Sequence, residues 1–341
     1  MQVPIRILNT KGLPKDVWHP SVVYMPEGWN GHRWWMSETP YSPRHIPPYT
    51  DRWELPCIHY SNDGLKWNPI KHNPIDDLTQ EDIAQHNYLS DPHLVLKGGV
   101  IYCYYRHTFL KNRQLLGNKT ILYRKHSADG ENWSERELVA DLRNEDDVAI
   151  WGEQIISQSI LWNEKKQIWE CWYVDGSGDK LDRGVRYVVS VDGVHWEKYK
   201  QCVVVIENDL PWHIDVQIYG GVYHMLCYTD NNKLALYTSD NGIDFVFKNV
   251  VLTPQPNTFY WERIYRSCSV FDGKKYRIYF SGYDGELGRI GVIETEDWKS
   301  YNMKSVWWNI DYYTELMVCK WKAFKRNVKQ VIKQTLYKTR K

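Results

Sequence analysis

The chain lacks several things at once. No apolar run approaches the roughly 20 residues of a membrane-spanning helix, and mean hydropathy is −0.60. The opening Met1-Gln2-Val3-Pro4-Ile5-Arg6 has no basic stretch leading into an apolar one, so no secretory signal is expected. Cysteine is sparse and odd in number, seven in 341 residues, with no Cys-x-x-Cys or His-x-x-x-His spacing. That excludes a disulfide framework and a zinc module, and points to a reducing, cytoplasmic compartment. Phenylalanine is scarce too, 7 residues against 18 Trp and 25 Tyr. That bias fits rings with one wet end, as at binding surfaces. Acidic residues are missing from one place only. Residues 320–341 carry nine Lys or Arg and no Asp or Glu, so the formal charge of +1 conceals a body near −8.

What is present is a repeat. Ser61-Asn62-Asp63-Gly64-Leu65-Lys66-Trp67 returns as Ser127-Ala128-Asp129-Gly130-Glu131-Asn132-Trp133 and as Ser190-Val191-Asp192-Gly193-Val194-His195-Trp196. A looser copy is Ser239-Asp240-Asn241-Gly242-Ile243-Asp244-Phe245, and a degenerate one is Thr295-Glu296-Asp297-Trp298. Asp-Gly between apolar strands marks a tight hairpin, because Gly takes φ > 0 and Asp tolerates it. The copies are separated by 66, 63, 49 and 56 residues. These spacings suit four-stranded blades with loops and predict an all-β fold, a five-bladed β-propeller over residues 1–312. The Asp residues of the repeat are turn formers. Cys103, Cys171 and Cys227 fall in predicted second strands as small buried side chains. Residues 2–8 are expected to join the last blade and close the ring. The Pro- and Tyr-rich connection from Thr39 to Pro56 is long enough to be functional. From about Thr314, apolar residues recur at three- and four-residue steps opposite Lys and Arg. Residues 313–341 therefore read as a basic amphipathic α-helix. It suits an anionic membrane surface through residues 315–341, or packing on the propeller with a solvated basic face.

A propeller brings the starts of its innermost strands around one funnel. Those starts carry His19 and Ser21, Asp91 and His93, Gln158 and Ser159, His213 and Asp215, and Arg266. Polar residues there are costly unless they serve a site. Glu153 and Glu262 stand just ahead of blades three and five, and Trp18, Trp151, Trp212 and Trp261 just before four inner strands. Tryptophan faces can stack on sugar rings while carboxylates and imidazoles bind hydroxyls. Glycoside cleavage needs two carboxylates, and Asp91, Asp215 and Glu153 are the candidates for catalysis. His19, His93, His213, Arg266, Trp18, Trp151, Trp212 and Glu262 are the candidates for substrate binding. Structural readings stand beside these. Asp91 before Pro92 suits a turn, His213 with Asp215 suits a buried polar pair, and Glu153 suits a loop carboxylate. Arg266 suits a bound carboxylate or phosphate. No metal or cofactor is demanded by any spacing, although an axial calcium fits a propeller. No nucleic-acid partner is expected.

The stretches Trp18-His19-Pro20, Pro26-Glu27-Gly28-Trp29-Asn30-Gly31, Ser90-Asp91-Pro92-His93, Trp212-His213-Ile214-Asp215 and Tyr265-Arg266-Ser267 resemble the five-bladed propeller glycoside hydrolases. The resemblance is to families 43, 32, 68 and 130, and to propeller proteins of bacteria and phages. It implies a carbohydrate-active enzyme working on a glycan in the central funnel. The family 43 pattern implies a base Asp at the blade-one start, where this chain has His19-Pro20-Ser21. It implies an acid Glu at the blade-three start, where this chain has Ser157-Gln158-Ser159. Only Asp91 falls on a family carboxylate, one that tunes its partner. Either Asp215 and Glu153 take over, or the reaction is not simple hydrolysis. Two further readings stand beside glycoside hydrolysis. One is a glycosyltransferase of surface-polysaccharide synthesis, peripheral on the inner membrane face. The other is a glycan-binding propeller without catalysis.

Overall fold

The computed structural model describes residues 2–41, 54–111, 114–176, 183–206 and 209–338. Most of the long connection from Thr39 to Pro56 therefore lies outside the described residues. Blade one is built from Asp16–Trp29, His32–Tyr41, Cys57–Ser61 and Lys66–Pro69. Blade two is built from Tyr88–Lys97, Val100–Lys111, Gln114–Ser127 and Glu137–Asp141. Blade three has Ile156–Asn163, Ile168–Asp175, Gly184–Ser190 and Lys200–Gln201. Blade four has Pro211–Tyr219, Val222–Thr229, Leu234–Ser239 and Asp244–Leu252, and blade five has Arg263–Phe271, Tyr276–Tyr283, Gly288–Thr295 and Asn302–Lys304. Within each blade the four strands pair antiparallel in sequence order. The first strand of every blade adjoins the first strand of the next, and that of blade five adjoins blade one, so the ring is closed. The fold is the five-bladed propeller that the hairpin spacing predicts.

The repeated turn shows why it recurs. Ser61 Oγ accepts from the backbone N–H of Gly64 at 3.0 Å, and Asp63 Oδ1 accepts from Leu65 and Lys66 at 2.7 and 2.8 Å. The same bonds form at Ser127–Asp129 and Ser190–Asp192. Backbone N–H donors favour the ionised carboxylate, and the Asp129 pKa falls to about 2, chiefly through the Asn132 N–H. In the fifth copy Trp298 stands in the glycine's place at φ 57, with its N–H on Thr295 Oγ1 at 2.9 Å. Each turn is also a joint between blades. Tyr104 of blade two donates to Gly193 O at 3.0 Å, Trp172 of blade three to Gly242 O at 2.6 Å, and Tyr279 of blade five to Gly64 O at 3.1 Å. Trp67, Trp169 and Trp172 are fully buried between blades, as are Cys103, Cys171 and Cys227 of the second strands. Burying such rings supplies a large share of the core's apolar area.

Ring closure differs from expectation. Arg6–Ile7 pairs in parallel with Lys66–Trp67 of blade one, not as a strand of the last blade. The preceding residues reach blade five, with Ile5 N–H donating to Ile290 O at 3.0 Å. The segment thus straddles the seam and ties both blades. Two short helices, Gln80–Gln85 (α1) and Glu145–Trp151 (α2), lie between blades one and two and between two and three.

The terminal helix, Ile310–Lys338 (α3), begins earlier than Thr314. Asn309 starts it: its side chain accepts from Tyr312 N–H at 3.2 Å and donates to Ile5 O at 3.1 Å. Tyr312 and Leu316 enter the core cluster of Phe259, Tyr260 and Leu287. Asp311 pairs with Arg6 at 2.7 Å, and Glu315 pairs with Arg289. The first two turns are therefore part of the propeller body, a packing that periodicity alone did not separate from the exposed turns that follow.

Candidate functional site

The funnel is set by one backbone irregularity repeated five times. Every inner strand shifts register near its start, between Trp18 and Ser21, Ser90 and His93, Ile156 and Ser159, Pro211 and His213, and Ile264 and Ser267. Bulges re-aim side chains and recur beside active sites. Within three of them a non-glycine residue adopts the left-handed region: His19 at φ 56, Asp91 at φ 52 and Ser157 at φ 50. Such conformations cost about 1–3 kcal/mol each and persist only where the surroundings hold them.

His19, Asp91 and His213 converge there, one potential ligand atom from each lying within 4.8 Å of the others. His19 Nε2 is 3.7 Å and His213 Nδ1 3.9 Å from Asp91 Oδ1. His19 Nδ1 meets Thr39 Oγ1 at 2.6 Å, which fixes the ring and turns Nε2 toward the cluster. Burial pushes His19 down to about 4, with Asp91 opposing, and holds His213 well below the ordinary imidazole value. Both rings are thereby held toward the neutral form.

Asp91 is the hub. Its Oδ2 accepts from Arg106 Nε at 2.9 Å and from Arg106 Nη2, and Oδ1 lies 2.9 Å from Arg266 Nη1. Arg106 also donates to Ile155 O at 3.1 Å and Arg266 to Gln158 O at 3.0 Å, while Gln158 donates to Asp91 O at 2.6 Å. Burial alone would raise the Asp91 carboxyl, but Arg106, His19 and Arg266 outweigh it and hold the group well below the carboxylate range. Its two arginines thus hold Asp91 toward the ionised form, against the proton-carrying half of the acid–base role expected of it.

The remaining candidates separate. Two residues beyond the bulges, Ser21, His93, Ser159 and Asp215 form a second layer that stitches neighbouring blades. Ser21 Oγ accepts from Leu94 N–H at 3.0 Å, Ser159 Oγ from Val216 N–H at 2.8 Å, and Asp215 Oδ2 from Ser269 N–H at 2.9 Å. Asp215 is thereby given to the seam of blades four and five, with burial raising it to about 6. His93 Nε2 donates to Ile160 O at 2.8 Å, and burial with Arg266 lowers its pKa to about 3. Glu153 is exposed and pairs with Lys119 at 3.8 Å, outside this cluster. Trp151 ends α2 and is fully buried against Tyr173 and Trp196, so it offers no face to a sugar. Trp18 is buried against Tyr41, Tyr265 and Tyr283.

Trp212 and Glu262 do reach an opening. With Arg183, Tyr228, Asp230, Asn232, Arg263 and Tyr265 they line a cleft of about 490 Å³. Arg183 lies 4.6 Å over the Trp212 ring, and Trp212 Nε1 donates to Tyr265 Oη at 2.7 Å. The Tyr265 ring is 4.3 Å from that of His213. The aromatic wall of the cleft is therefore also the wall of the histidine–carboxylate cluster.

Two participants were not anticipated. Arg106 ends the otherwise apolar and aromatic run Ile101-Tyr102-Cys103-Tyr104-Tyr105, and a cation there was the available signal. Glu54 lies near the end of the proline-rich connection, whose length is the one signal, and nothing in its own residue type marks it. It is buried and raised to about 8 by that burial, with the Ser90 hydroxyl opposing and the Asp91 charge adding.

The donor set suits a divalent cation. Imidazole and carboxylate ligands serve zinc and its neighbours, and three protein ligands leave a position for water or substrate. Both nitrogens of His213 are buried without a hydrogen-bond partner, and Asp91 Oδ1 has the Arg266 guanidinium as its ion-pair neighbour at 2.9 Å. Arg266 faces the same Asp91 oxygen, so a cation there would share it.

No family profile matches the chain. A relative by sequence is the "A type blood N-acetyl-alpha-D-galactosamine deacetylase" of Flavonifractor plautii, 26% identical over 312 residues. The match takes in 75% of this chain and 38% of that protein, so the chain spans well under half of the relative's length. Among solved structures, the F. plautii N-acetylgalactosamine deacetylase in complex with blood group B trisaccharide has a TM-score of 0.66 at 22% identity, covering 87% of this chain and 94% of that one. A family 43 β-xylosidase/α-arabinofuranosidase from a compost microbial metagenome, in complex with xylotriose, has a TM-score of 0.61 at 14% identity, covering 90% and 98%. A family 43 enzyme of Xanthomonas citri with xylotriose has a TM-score of 0.59 at 11% identity, covering 87% and 91%. The chain is a five-bladed β-propeller similar in fold to these carbohydrate-active propellers.

Proposed function

We propose that the chain hydrolyses the acetamide of an N-acetylated amino sugar within a glycan, releasing acetate and leaving the free amine. The observation that carries this reading is the convergence of His19, Asp91 and His213 at the strand starts where a glycosidase needs a protonatable carboxylate pair. Asp91 is held ionised and Asp215 belongs to an inter-blade seam. The sequence similarity to an N-acetylgalactosamine deacetylase supports amide hydrolysis over glycoside cleavage.

His19, Asp91 and His213 would hold a divalent cation, which when bound polarises a carbonyl and lowers the pKa of a bound water. The chain's own residues do the rest. Thr39 Oγ1 would accept from His19 Nδ1–H and leave Nε2 free to ligate. Arg106 and Arg266 keep Asp91 an anion. Glu54, buried and raised to about 8, would carry its proton at neutral pH and is suited to give it to the departing nitrogen. The 490 Å³ cleft beside Tyr265 is large enough to admit one or two sugar rings.

The test measures acetate and new reducing ends in parallel on glycans ending in N-acetylgalactosamine, N-acetylglucosamine and xylose. Metal-stripped and cation-restored protein are compared. Acetate release that follows restoration of the cation is the expected result. New reducing ends without acetate would instead assign glycoside hydrolysis.

A further inference from the structure

The terminal helix α3 has a second face that the propeller does not cover. Its first turns seat Tyr312 and Leu316 on the body. At roughly 100° per residue, Ile310, Met317, Trp321, Phe324 and Val328 fall on a different line, about a third of a turn away. All five are exposed, Ile310 by 73%, Met317 by 66% and Phe324 by 58%. The stripe runs about 27 Å at 1.5 Å per residue. Trp321 and Phe324 stack along it at 5.8 Å. Just before it, Trp307 is 77% exposed.

Beyond its first turns, where Asp311 and Glu315 pair with Arg6 and Arg289, the charge carried by the helix beside the stripe is of one sign. After Glu315 the sequence holds no acidic residue, and Lys320, Lys325 and Lys329 are exposed on the helix. An apolar face with aromatic anchors between lysines matches an anionic bilayer surface, where rings enter the headgroup boundary and ammonium groups meet phosphates. A second copy of the same helix would bring like charges together. No helix of the described residues is long and apolar enough to cross a membrane.

We infer that α3 docks the protein on an anionic phospholipid surface, with Met317, Trp321, Phe324 and Val328 inserted and Lys320, Lys325 and Lys329 at the headgroups. The placement bears on the candidate site. Trp261, Tyr312, Leu316 and Lys320 line one cleft, and the next residues, Glu262 and Arg263, line the cleft beside His213. A docked helix therefore brings the mouth of the funnel near the lipid headgroups, where a glycan on a lipid carrier would present its sugars. Docking itself does not depend on the deacetylase reading.

The experiment is co-sedimentation of the full chain with phosphatidylcholine vesicles, with and without roughly 30% phosphatidylglycerol. Partitioning at least about tenfold stronger to the anionic vesicles is expected, falling as salt is raised. The Trp321→Ala/Phe324→Ala and Lys320→Glu/Lys325→Glu/Lys329→Glu variants should each lose about tenfold or more while unfolding at the parent temperature. Equal partitioning to both vesicles, or full retention by the aromatic variant, overturns the inference. So does concentration-dependent dimerisation abolished by the aromatic variant without vesicle binding, since a second copy would then cover the stripe.

Discussion

Replacing Asp91 by Asn tests the site and the fold together. The carboxylate is fully buried and faces two guanidinium groups that are themselves 8% and 1% exposed. An asparagine keeps the shape and one acceptor oxygen, so the perturbation is almost purely the loss of one negative charge. Arg106 and Arg266 then remain buried without an anion. Stranding one member of a buried pair costs about 3–5 kcal/mol, and here one carboxylate serves two cations. The expected loss is therefore at least about 3–5 kcal/mol of unfolding free energy, read by urea denaturation with tryptophan fluorescence. Arg266→Met alone should cost less, because Asp91 keeps Arg106 at 2.9 Å. The double variant Asp91→Asn/Arg266→Met strands one cation instead of two, and should recover part of the loss with a coupling of about 1–3 kcal/mol. It also provides a folded protein if Asp91→Asn does not accumulate. An Asp91→Asn variant within about 1 kcal/mol of the parent, with coupling below about 0.5 kcal/mol, would refute the account of Asp91 as an anion fixed by two arginines.

Three further outcomes are expected. Asp215, Asp16 and Glu54 have folded pKa values raised by burial to about 6, 7 and 8. In the unfolded chain they ionise near the ordinary carboxylate values, so their contribution is complete only below about pH 4 and is lost progressively up to their folded values. Buried His19, His59 and His93, lowered to about 4, 4 and 3 from 6.5, oppose that loss up to about pH 6.5 and leave the net fall between about 6.5 and 8. The thermal midpoint should fall across that window, and a midpoint that rises would show these carboxyls to be ionised in the fold. His213→Phe removes two buried ring nitrogens that have no partner. The unfolding temperature should hold or rise, while acetate release drops on the order of 100-fold or more if the ring is a ligand. Gly193→Ala places a Cβ 2.6 Å from Tyr104 Oη at φ +79, whereas Gly98→Ala at φ +58 meets nothing within 4 Å. Denaturation should show about 1 kcal/mol lost at Gly98 and about 1–3 kcal/mol at Gly193, and equal losses would mean that the turn is not a joint between blades.

How far the architecture could be read from the sequence follows from how local each cause is. Ser-x-Asp-Gly closes its turn with bonds that stay within the six residues 61–66, so it can be recognised without knowing the fold, and its recurrence counts the blades. The N-terminal segment is different. Arg6–Ile7 chooses blade one through a parallel pairing with residues about 60 positions away, and no local pattern distinguishes that from the neighbouring blade. Tryptophan misled for a related reason. Trp151 and Trp212 both stand just ahead of an inner strand, yet a two-turn helix carries the first into the core while the second reaches a cleft. Residue type reports that a ring is large and amphipathic, and burial is decided by the element that carries it. The site itself lies between these cases. His19, Asp91 and His213 could be found as polar residues at strand starts, but their grouping depends on bulges whose backbone shift no residue type announces. Their partners come from elsewhere: Arg106 from a second strand and Glu54 from the end of a long connection. Asp91 looked like a catalytic acid only while Arg106 was out of view. Once two guanidiniums face it, the same carboxylate is held toward its ionised form, and under the proposed reading proton transfer falls to Glu54, which burial raises to about 8.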